Sequence, residues 1–280
     1  PTRTPPTTTT ASRNSPTRKT EQSMPLPPEP VLATFNAEVR PHRAGGEVLG
    51  PAWDNGILVG DVVFAEARDW SGWSAKVRDK LSVSGARIAR PVLTTDGRYT
   101  AAGWKATQFV PGQLRGRIDE TVHVALRLEA ALATAPLPTT GQRDDIFARA
   151  ERAAWEETGE AYADAELAQL PLVTAHVDVL GTTIFSGANP PTLTDIVPSA
   201  APRPQGWSAA LVIVDGLIAD AVDADICSRF ASVPGLHQLL LRAVAYRRYV
   251  NTLHPSSKST VRSNIERVEE ALVSAVSDRL

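Results

Sequence analysis

The chain has 280 residues, and 42% of them are hydrophobic, so it is long enough for one large domain or for two smaller lobes around a shared cleft. The 29 basic and 31 acidic side chains leave a formal charge of −2, so the net charge of the chain does not indicate nucleic acid or an anionic membrane as the partner. A single cysteine, Cys227, excludes an internal disulfide framework, the five histidines show no metal-ligand spacing, and no apolar run approaches the ~20 residues of a membrane span.

The first 23 residues consist almost entirely of Thr, Pro, Ser and Arg, with Ala11 as their one aliphatic side chain. Such a segment cannot bury enough apolar surface to offset the entropy of ordering, so we expect a disordered tail over residues 1–23. The one methionine, Met24, follows directly, and the simplest interpretation is that translation starts there. A functional basic tail is the alternative, because Glu21 is outnumbered by four basic residues, namely Arg3, Arg13, Arg18 and Lys19.

The composition of residues 24–116 predicts a small β-rich lobe. It begins with a short helical turn at Val31–Phe35 and continues through a glycine-rich segment. The next run, Ile57–Phe64, is rich in β-branched residues and is interrupted at Gly60-Asp61. This pattern predicts two strands joined by a tight turn.

Two further elements complete the predicted small lobe. Apolar residues at three- to four-residue spacing predict an amphipathic helix over Trp70–Leu81. The alternating segment Ala86–Leu93 is followed by Asp96-Gly97, a favoured hairpin turn, and then by Tyr99–Val110. The order of these segments predicts a long β-hairpin.

Residues 117–280 predict a larger, mainly helical lobe, because four segments of this half have the pattern of amphipathic helices and a fifth, Trp207–Ile218, is apolar enough to be buried. The five segments are Ile118–Ala133, Asp144–Glu157, Trp207–Ile218, Leu236–Leu253 and Val261–Leu280. The chain is therefore expected to have an α+β fold with two lobes.

One stretch between these helices carries residues that chemistry could use. His176 and Asp178 follow the strand-like Leu172-Val173, Thr183 lies in a second strand-like run, Thr182–Phe185, and Asp195 follows a third. On the residues alone, three short strands with polar turns between them would explain the same pattern. The order of the segments favours a functional loop.

This order resembles the kinase superfamily, where a His-x-Asp loop with a later Asn lies between two short strands and precedes a metal-binding Asp. The amino-acid sequence of this loop is most similar to that of the aminoglycoside phosphotransferase branch, with Val177 in place of a Gly and Thr183 in place of the Asn. The resemblance implies that Asp178 accepts the proton of a substrate hydroxyl and that His176 braces the loop. It also implies that Asp195, with Thr183 as the stand-in for the Asn, holds magnesium next to ATP.

The same resemblance assigns family roles to parts of the small lobe. The sequence departs from the family pattern at two positions there. Gly50 and Gly56 flank a segment that resembles the glycine-rich loop over the nucleotide, but Ala65 takes the place of the phosphate-holding lysine. The helix that usually carries the partner Glu of that lysine contains no Glu. Another cation could replace the lysine, and the candidates are Lys76 and Lys105. Phe109–Gly112 also resembles the linker that leaves the small lobe in this branch.

A closer resemblance covers nearly all of residues 30–255 and is to an actinobacterial family of phosphotransferase-like proteins. It is carried by five short motifs, namely Trp73–Arg78, Arg90-Pro91, Asp96–Tyr99, Gly103–Ala106 and Leu253–Pro255. We expect a cytoplasmic, pseudokinase-like protein with weak binding of magnesium and ATP and with no nucleic-acid or membrane partner. An active small-molecule kinase and a noncatalytic protein-interaction module are the alternatives.

Overall fold

The computed structural model describes residues 26–36, 46–138, 143–162 and 165–277. The tail predicted over residues 1–23 lies outside them. The helices of the described residues are α1 Glu29–Thr34, α2 Ser71–Lys80, α3 Ile118–Leu132, α4 Ile146–Ala161, α5 Val179–Thr182, α6 Trp207–Ile218, α7 Asp225–Arg229, α8 Leu236–Leu253 and α9 Ser259–Ser277.

The strands of the described residues are mostly short. They are β1 Glu47–Val48, β2 Ile57–Val59, β3 Val62–Glu66, β4 Arg87–Ile88, β5 Thr100–Ala101, β6 Trp104–Gln108, β7 Gln113–Leu114, β8 Leu172–Val173, β9 Thr183–Phe185, β10 Thr192–Leu193 and β11 Arg203–Pro204.

An antiparallel sheet with the order β1-β2-β3-β6-β5 forms the small part of the molecule. The strands β2 and β3 are joined at Gly60, whose φ of +65° is a conformation that glycine adopts without strain. This hairpin was predicted from the β-branched run, and the structure confirms it. Along β3 and β6, Ala65 lies directly opposite Lys105.

The predicted long hairpin around Asp96-Gly97 is wrong in its turn and in part of its pairing. The regular hairpin is β5–β6, and its turn is Ala102-Gly103, where both residues have positive φ. Asp96-Gly97 forms a turn within a connecting loop, where Gly97 donates its N–H to the carbonyl of Thr94. The first half of the segment Ala86–Leu93 carries β4, which pairs in parallel with β10. Its second half pairs antiparallel with β6 as predicted, through a bridge between Pro91 and Thr107.

The helical part packs around α6 and α8, which have the bounds that the sequence predicted. Apolar residues cover most of α6, so this helix is buried nearly all round. The helices α3 and α8 pack against it, and α4 and α9 pack against α8. The predicted α+β class, with a small antiparallel sheet and a larger helical part, is confirmed. No helix of the described residues is long and apolar enough to cross a membrane.

The helix α2 follows the small sheet in the chain but packs against the helical part. Trp73 and Val77 of this helix belong to the same hydrophobic core as α3, α6 and α8. The indole N–H of Trp73 donates to the carbonyl of Pro136 at 2.7 Å. The boundary near residue 116 therefore stays a prediction, and α2 connects the two parts.

Candidate functional site

Asp195, the predicted metal ligand, lies two residues after the end of β10 and is almost fully buried. Its Oδ2 atom lies 2.5 Å from Nζ of Lys105. Its Oδ1 atom accepts hydrogen bonds from Oγ of Ser74 at 2.5 Å and from N–H of Ile196 at 2.8 Å, and it lies 3.3 Å from Nε of Arg78. Burial alone would raise the pKa of Asp195, but Lys105 and Arg78 hold it well below its usual range.

Lys105 places a cation where the sequence comparison expects one from Ala65. The two residues lie opposite each other on neighbouring strands, and both line the pocket between the sheet and Asp195. Burial would lower the pKa of Lys105, but Asp195 and Asp54 raise it above its usual value, so the ammonium group stays charged. Of the two candidate cations, Lys105 reaches the site, whereas Lys76 lies on the exposed face of α2.

Arg78 lies in the last turn of α2, the helix that contains no Glu. Its side chain is fully buried and donates to the carbonyls of Ala89 at 2.8 Å and Thr194 at 3.1 Å. It also lies beside the Asp195 carboxylate. The helix α2 therefore contributes a buried positive charge to the site.

The predicted glycine-rich loop lies over this pocket. Gly50 and Gly56 flank a 3-10 turn, Pro51–Trp53, and a Cβ added at Gly56 would lie 2.6 Å from the carbonyl oxygen of Phe64. Around Gly50 the space is open. The pocket below the loop has a volume of about 10 Å³, about the space of one water molecule. Its lining residues are Ala52, Trp53, Asp54, Val63, Ala65, Lys105, Thr107, Thr194 and Asp195.

His176 is fully buried and links the loop that carries Asp178 to the strand region after Asp195. Its Nδ1 atom lies 3.2 Å from the N–H groups of Asp178 and Val197, and its Nε2 atom lies 2.8 Å from Oγ1 of Thr182. Two donors at Nδ1 assign the proton to Nε2. Burial lowers the pKa of His176 to about 4, so the ring is neutral at pH 7.

Asp178 lies at the N-terminal end of the short helix α5, and its side chain is open to solvent. A Cβ added at Gly181 would lie 2.5 Å from its Oδ1 atom, so the carboxylate sits close against the backbone of that turn. Desolvation of the carboxyl by the protein around it raises the pKa of Asp178 to about 6, and the nearby charge of Arg247 opposes the rise. The structure thus presents a carboxylate of raised pKa at the surface of the loop.

Thr183 lies in β9 and is buried, and its hydroxyl donates to the carbonyl of Val179 at 2.6 Å. In the described residues, no group of three or more His, Cys, Asp or Glu side chains could hold a metal ion. Because both oxygens of Asp195 already contact donors and cations, the residues present do not fit a magnesium ion in this arrangement. The metal assignment of Asp195 and Thr183 stays a prediction.

Three residues of the site were missed by the sequence analysis, namely Asp54, Ser74 and Arg78. Ser74 and Arg78 are four residues apart on the face of α2 that also carries Val77. Polar residues on the apolar face of a predicted helix are a signal of a buried polar network, and this signal could have identified them. For Asp54 no comparable signal exists, because an acid in a glycine-rich turn is ordinarily solvated.

Comparisons with known proteins agree on the fold. The chain is similar to an aminoglycoside phosphotransferase from Alicyclobacillus acidocaldarius subsp. acidocaldarius DSM 446, with 13% identity, a TM-score of 0.55, and coverage of 93% of this chain and 98% of that one. It is also similar to an amicoumacin kinase solved with AMP-PNP, Ca²⁺ and Ami, with 10% identity, a TM-score of 0.52, and coverage of 76% and 81%.

No family model matches the chain, and no curated protein matches its sequence. At these identities the solved structures show the fold alone. The chain has a kinase-like fold of the aminoglycoside phosphotransferase type, as the sequence resemblance predicted.

Proposed function

We propose that this protein is a kinase-like protein that has lost efficient magnesium-dependent phosphoryl transfer and retains at most weak nucleotide binding in the pocket at Lys105. The proposal starts from neighbours of the same fold that are, by name, a small-molecule phosphotransferase and a small-molecule kinase. The observation that carries it is the state of Asp195, whose carboxylate lies between Lys105 and Arg78.

A magnesium ion requires oxygen ligands in a near-octahedral arrangement and loses its water reluctantly. At Asp195 it would have to displace the ammonium of Lys105, and it would then lie close to two positive side chains. Arg78 cannot relieve this repulsion by losing its proton, because a guanidinium stays charged in proteins. The local charge therefore opposes the metal-dependent step on which transfer by this fold depends.

The second candidate is an active small-molecule kinase, and one observation favours it. Asp178 is open to solvent and its carboxyl pKa is raised, which suits a general base for a substrate hydroxyl. The backbone around it is held by His176 and Thr182, whose hydroxyl donates to the carbonyl of Asp178 at 2.7 Å. In this alternative, ligand binding would have to rearrange the contacts of Asp195.

The experiment that separates the two is calorimetric titration of ATP with magnesium into the parent protein, Asp178→Asn and Asp195→Asn, beside an ATP hydrolysis assay. We expect no turnover and micromolar or weaker binding, because the ammonium group of Lys105 is already paired with Asp195 and Asp54, and a ligand would have to replace a charged hydrogen bond that contributes about 1.5–3 kcal/mol. Any magnesium-dependent binding should be lost in Asp195→Asn and kept in Asp178→Asn.

Two results would contradict these assignments. Robust turnover that Asp178→Asn alone abolishes would identify a working phosphotransferase. Magnesium-dependent binding by Asp195→Asn equal to that of the parent would refute the metal role of Asp195. Circular dichroism of each variant shows whether the fold is intact.

A further inference from the structure

Two carboxylates share the ammonium group of Lys105, and they differ in how firmly they are held. The side chain of Asp195 is 9% exposed, and Ser74 and Ile196 also donate to it. The side chain of Asp54 is 47% exposed, and within the described residues its carboxylate accepts a hydrogen bond from Lys105 alone. Water can therefore replace Lys105 as the hydrogen-bond partner of Asp54 more readily than as the partner of Asp195.

The charges of the site balance only while Asp54 is in place. Lys105 and Arg78 carry two positive charges, and Asp195 and Asp54 carry two negative charges. The side chain of Lys105 is only 7% exposed. If Asp54 moved away, one buried positive charge would be left without compensation, and this is unfavourable inside a protein. The pocket favours an anion at this position.

Asp54 is one of several residues that hold the segment Gly50–Gly56 over the pocket. The carbonyl of Ala52 accepts a hydrogen bond from Oγ1 of Thr194 at 2.5 Å, and the ring of Trp53 lies 5.6 Å from that of Phe109. The 3-10 turn of the segment packs against α5, next to the loop of Asp178. The segment thus closes the pocket, and the Lys105 contact fixes its last residues.

We propose that Asp54 is an internal substitute for the anionic group of a ligand. It binds Lys105, holds the Gly50–Gly56 segment closed over the pocket, and leaves when an external phosphate group binds Lys105 in its place. The inference rests on the proposed function only in taking this pocket as the ligand site. It requires neither magnesium nor turnover.

The first test is hydrogen exchange of the backbone amides at residues 49–56 in the parent protein, Asp54→Asn and Asp61→Asn. Asparagine keeps the left-handed backbone that Asp54 adopts at φ +53°, so the substitution removes the charge and not the turn. We expect exchange roughly tenfold faster in Asp54→Asn, from the loss of a charged hydrogen bond. Asp61, an exposed acid in the neighbouring turn, is the matched control, and its variant should exchange like the parent.

The second test is calorimetric titration of pyrophosphate in the presence of EDTA. Asp54→Asn should bind it about tenfold more tightly than the parent, because the internal competitor is weakened. Lys105→Met should not bind it. If Lys105→Met does not fold, the pyrophosphate affinities of Asp54→Asn and the parent are sufficient to test the proposal.

Unchanged amide exchange in Asp54→Asn, or pyrophosphate binding no tighter than that of the parent, would overturn the proposal. Magnesium-dependent turnover by the parent would contradict the proposed function and would leave both of these measurements unaffected.

Discussion

At the scale of single residues, Asp195 is the group whose loss should affect the fold most directly. Its carboxylate compensates the buried charges of Lys105 and Arg78. Asp195→Asn leaves those two cations with Asp54 as the one acid of the site. Removing one partner of a buried ion pair costs about 3–5 kcal/mol, so we expect the free energy of unfolding to fall by that amount in urea titrations at pH 7.

The control for this change is Asp61→Asn, which alters an exposed acid and should stay within about 0.5 kcal/mol of the parent. The depressed pKa of Asp195 also fixes the direction of its pH dependence. The folded state holds this carboxyl ionised, so its contribution is complete above the ordinary pKa of about 3.9 and is lost as the pH falls below it. Equal stability of parent and Asp195→Asn at pH 7 would contradict the charge balance described for this site.

The sequence reveals some of these residues and hides others for a physical reason. His176, Asp178 and Asp195 could be found because the spacing of a loop between short strands is local. Arg78 and Lys105 meet Asp195 only after folding, across 117 and 90 residues of chain. Lys105 could be named as a candidate cation, but its place beside Asp195 depends on strand pairing that no local pattern fixes.

At the scale of elements, the N-terminus of α6 joins a buried acid to a buried base. Glu129 of α3 accepts hydrogen bonds from the N–H groups of Gly206 and Ser208, each at 2.7 Å. The hydroxyl of Ser208 in turn accepts the N–H of His176 at 2.9 Å. Burial raises the pKa of Glu129 to about 7 and lowers that of His176 to about 4. The N-terminus of α6 thus contacts two titratable groups whose contributions to stability change in opposite directions with pH.

The signs follow from the protons bound in each state. Between pH 4 and 6.5 the unfolded chain protonates His176 and the folded chain does not, so acidification destabilises the protein through this residue. Between pH 4.5 and 7 the folded chain keeps Glu129 protonated and the unfolded chain does not, so acidification stabilises it. Each effect amounts to about 3 kcal/mol over its range.

We predict opposite trends for two variants measured by urea unfolding at pH 4, 5.5 and 7. The stability advantage of the parent over His176→Gln should shrink by about 3 kcal/mol from pH 7 to pH 4, and its advantage over Glu129→Gln should grow by a similar amount. His254→Gln, at a half-buried position after α8, serves as a control for histidine. Parallel pH profiles for the parent and both variants would show that neither group is perturbed by the fold.

The elements also show which parts of the fold are readable from sequence. The bounds of α6 and α8 were predicted because helical periodicity is a property of adjacent residues. The predicted partner of Ala86–Leu93 is correct for Arg90–Val92, which pair with β6, and wrong for β4, which pairs with β10 more than a hundred residues away. A hairpin turn signal at Asp96-Gly97 is present, but tertiary pairing decides which segments become strands.

At the scale of the whole molecule, the sheet and the helical part are joined through α2. Trp73 and Val77 place this helix in the core of the helical part. Arg78 connects it to both sides, because its guanidinium donates to the carbonyls of Ala89 and Thr194 next to β4 and β10, and also to the hydroxyl of Thr107 in β6 at 3.5 Å. Contacts of this kind bind the two parts into one cooperative unit.

The last prediction concerns this cooperativity. We expect the parent to unfold in a single thermal transition in which the calorimetric and van't Hoff enthalpies agree. Arg78→Met removes the buried cation, leaves the carbonyls of Ala89 and Thr194 with one donor fewer, and should lower the free energy of unfolding by about 3–5 kcal/mol. Since the lost contacts are those between the parts, the calorimetric enthalpy should then exceed the van't Hoff value. Arg98→Met, which removes an exposed pair with Asp96, is the matched control and should unfold like the parent. A single, unbroadened transition in Arg78→Met would show that apolar packing of α2 alone couples the two parts.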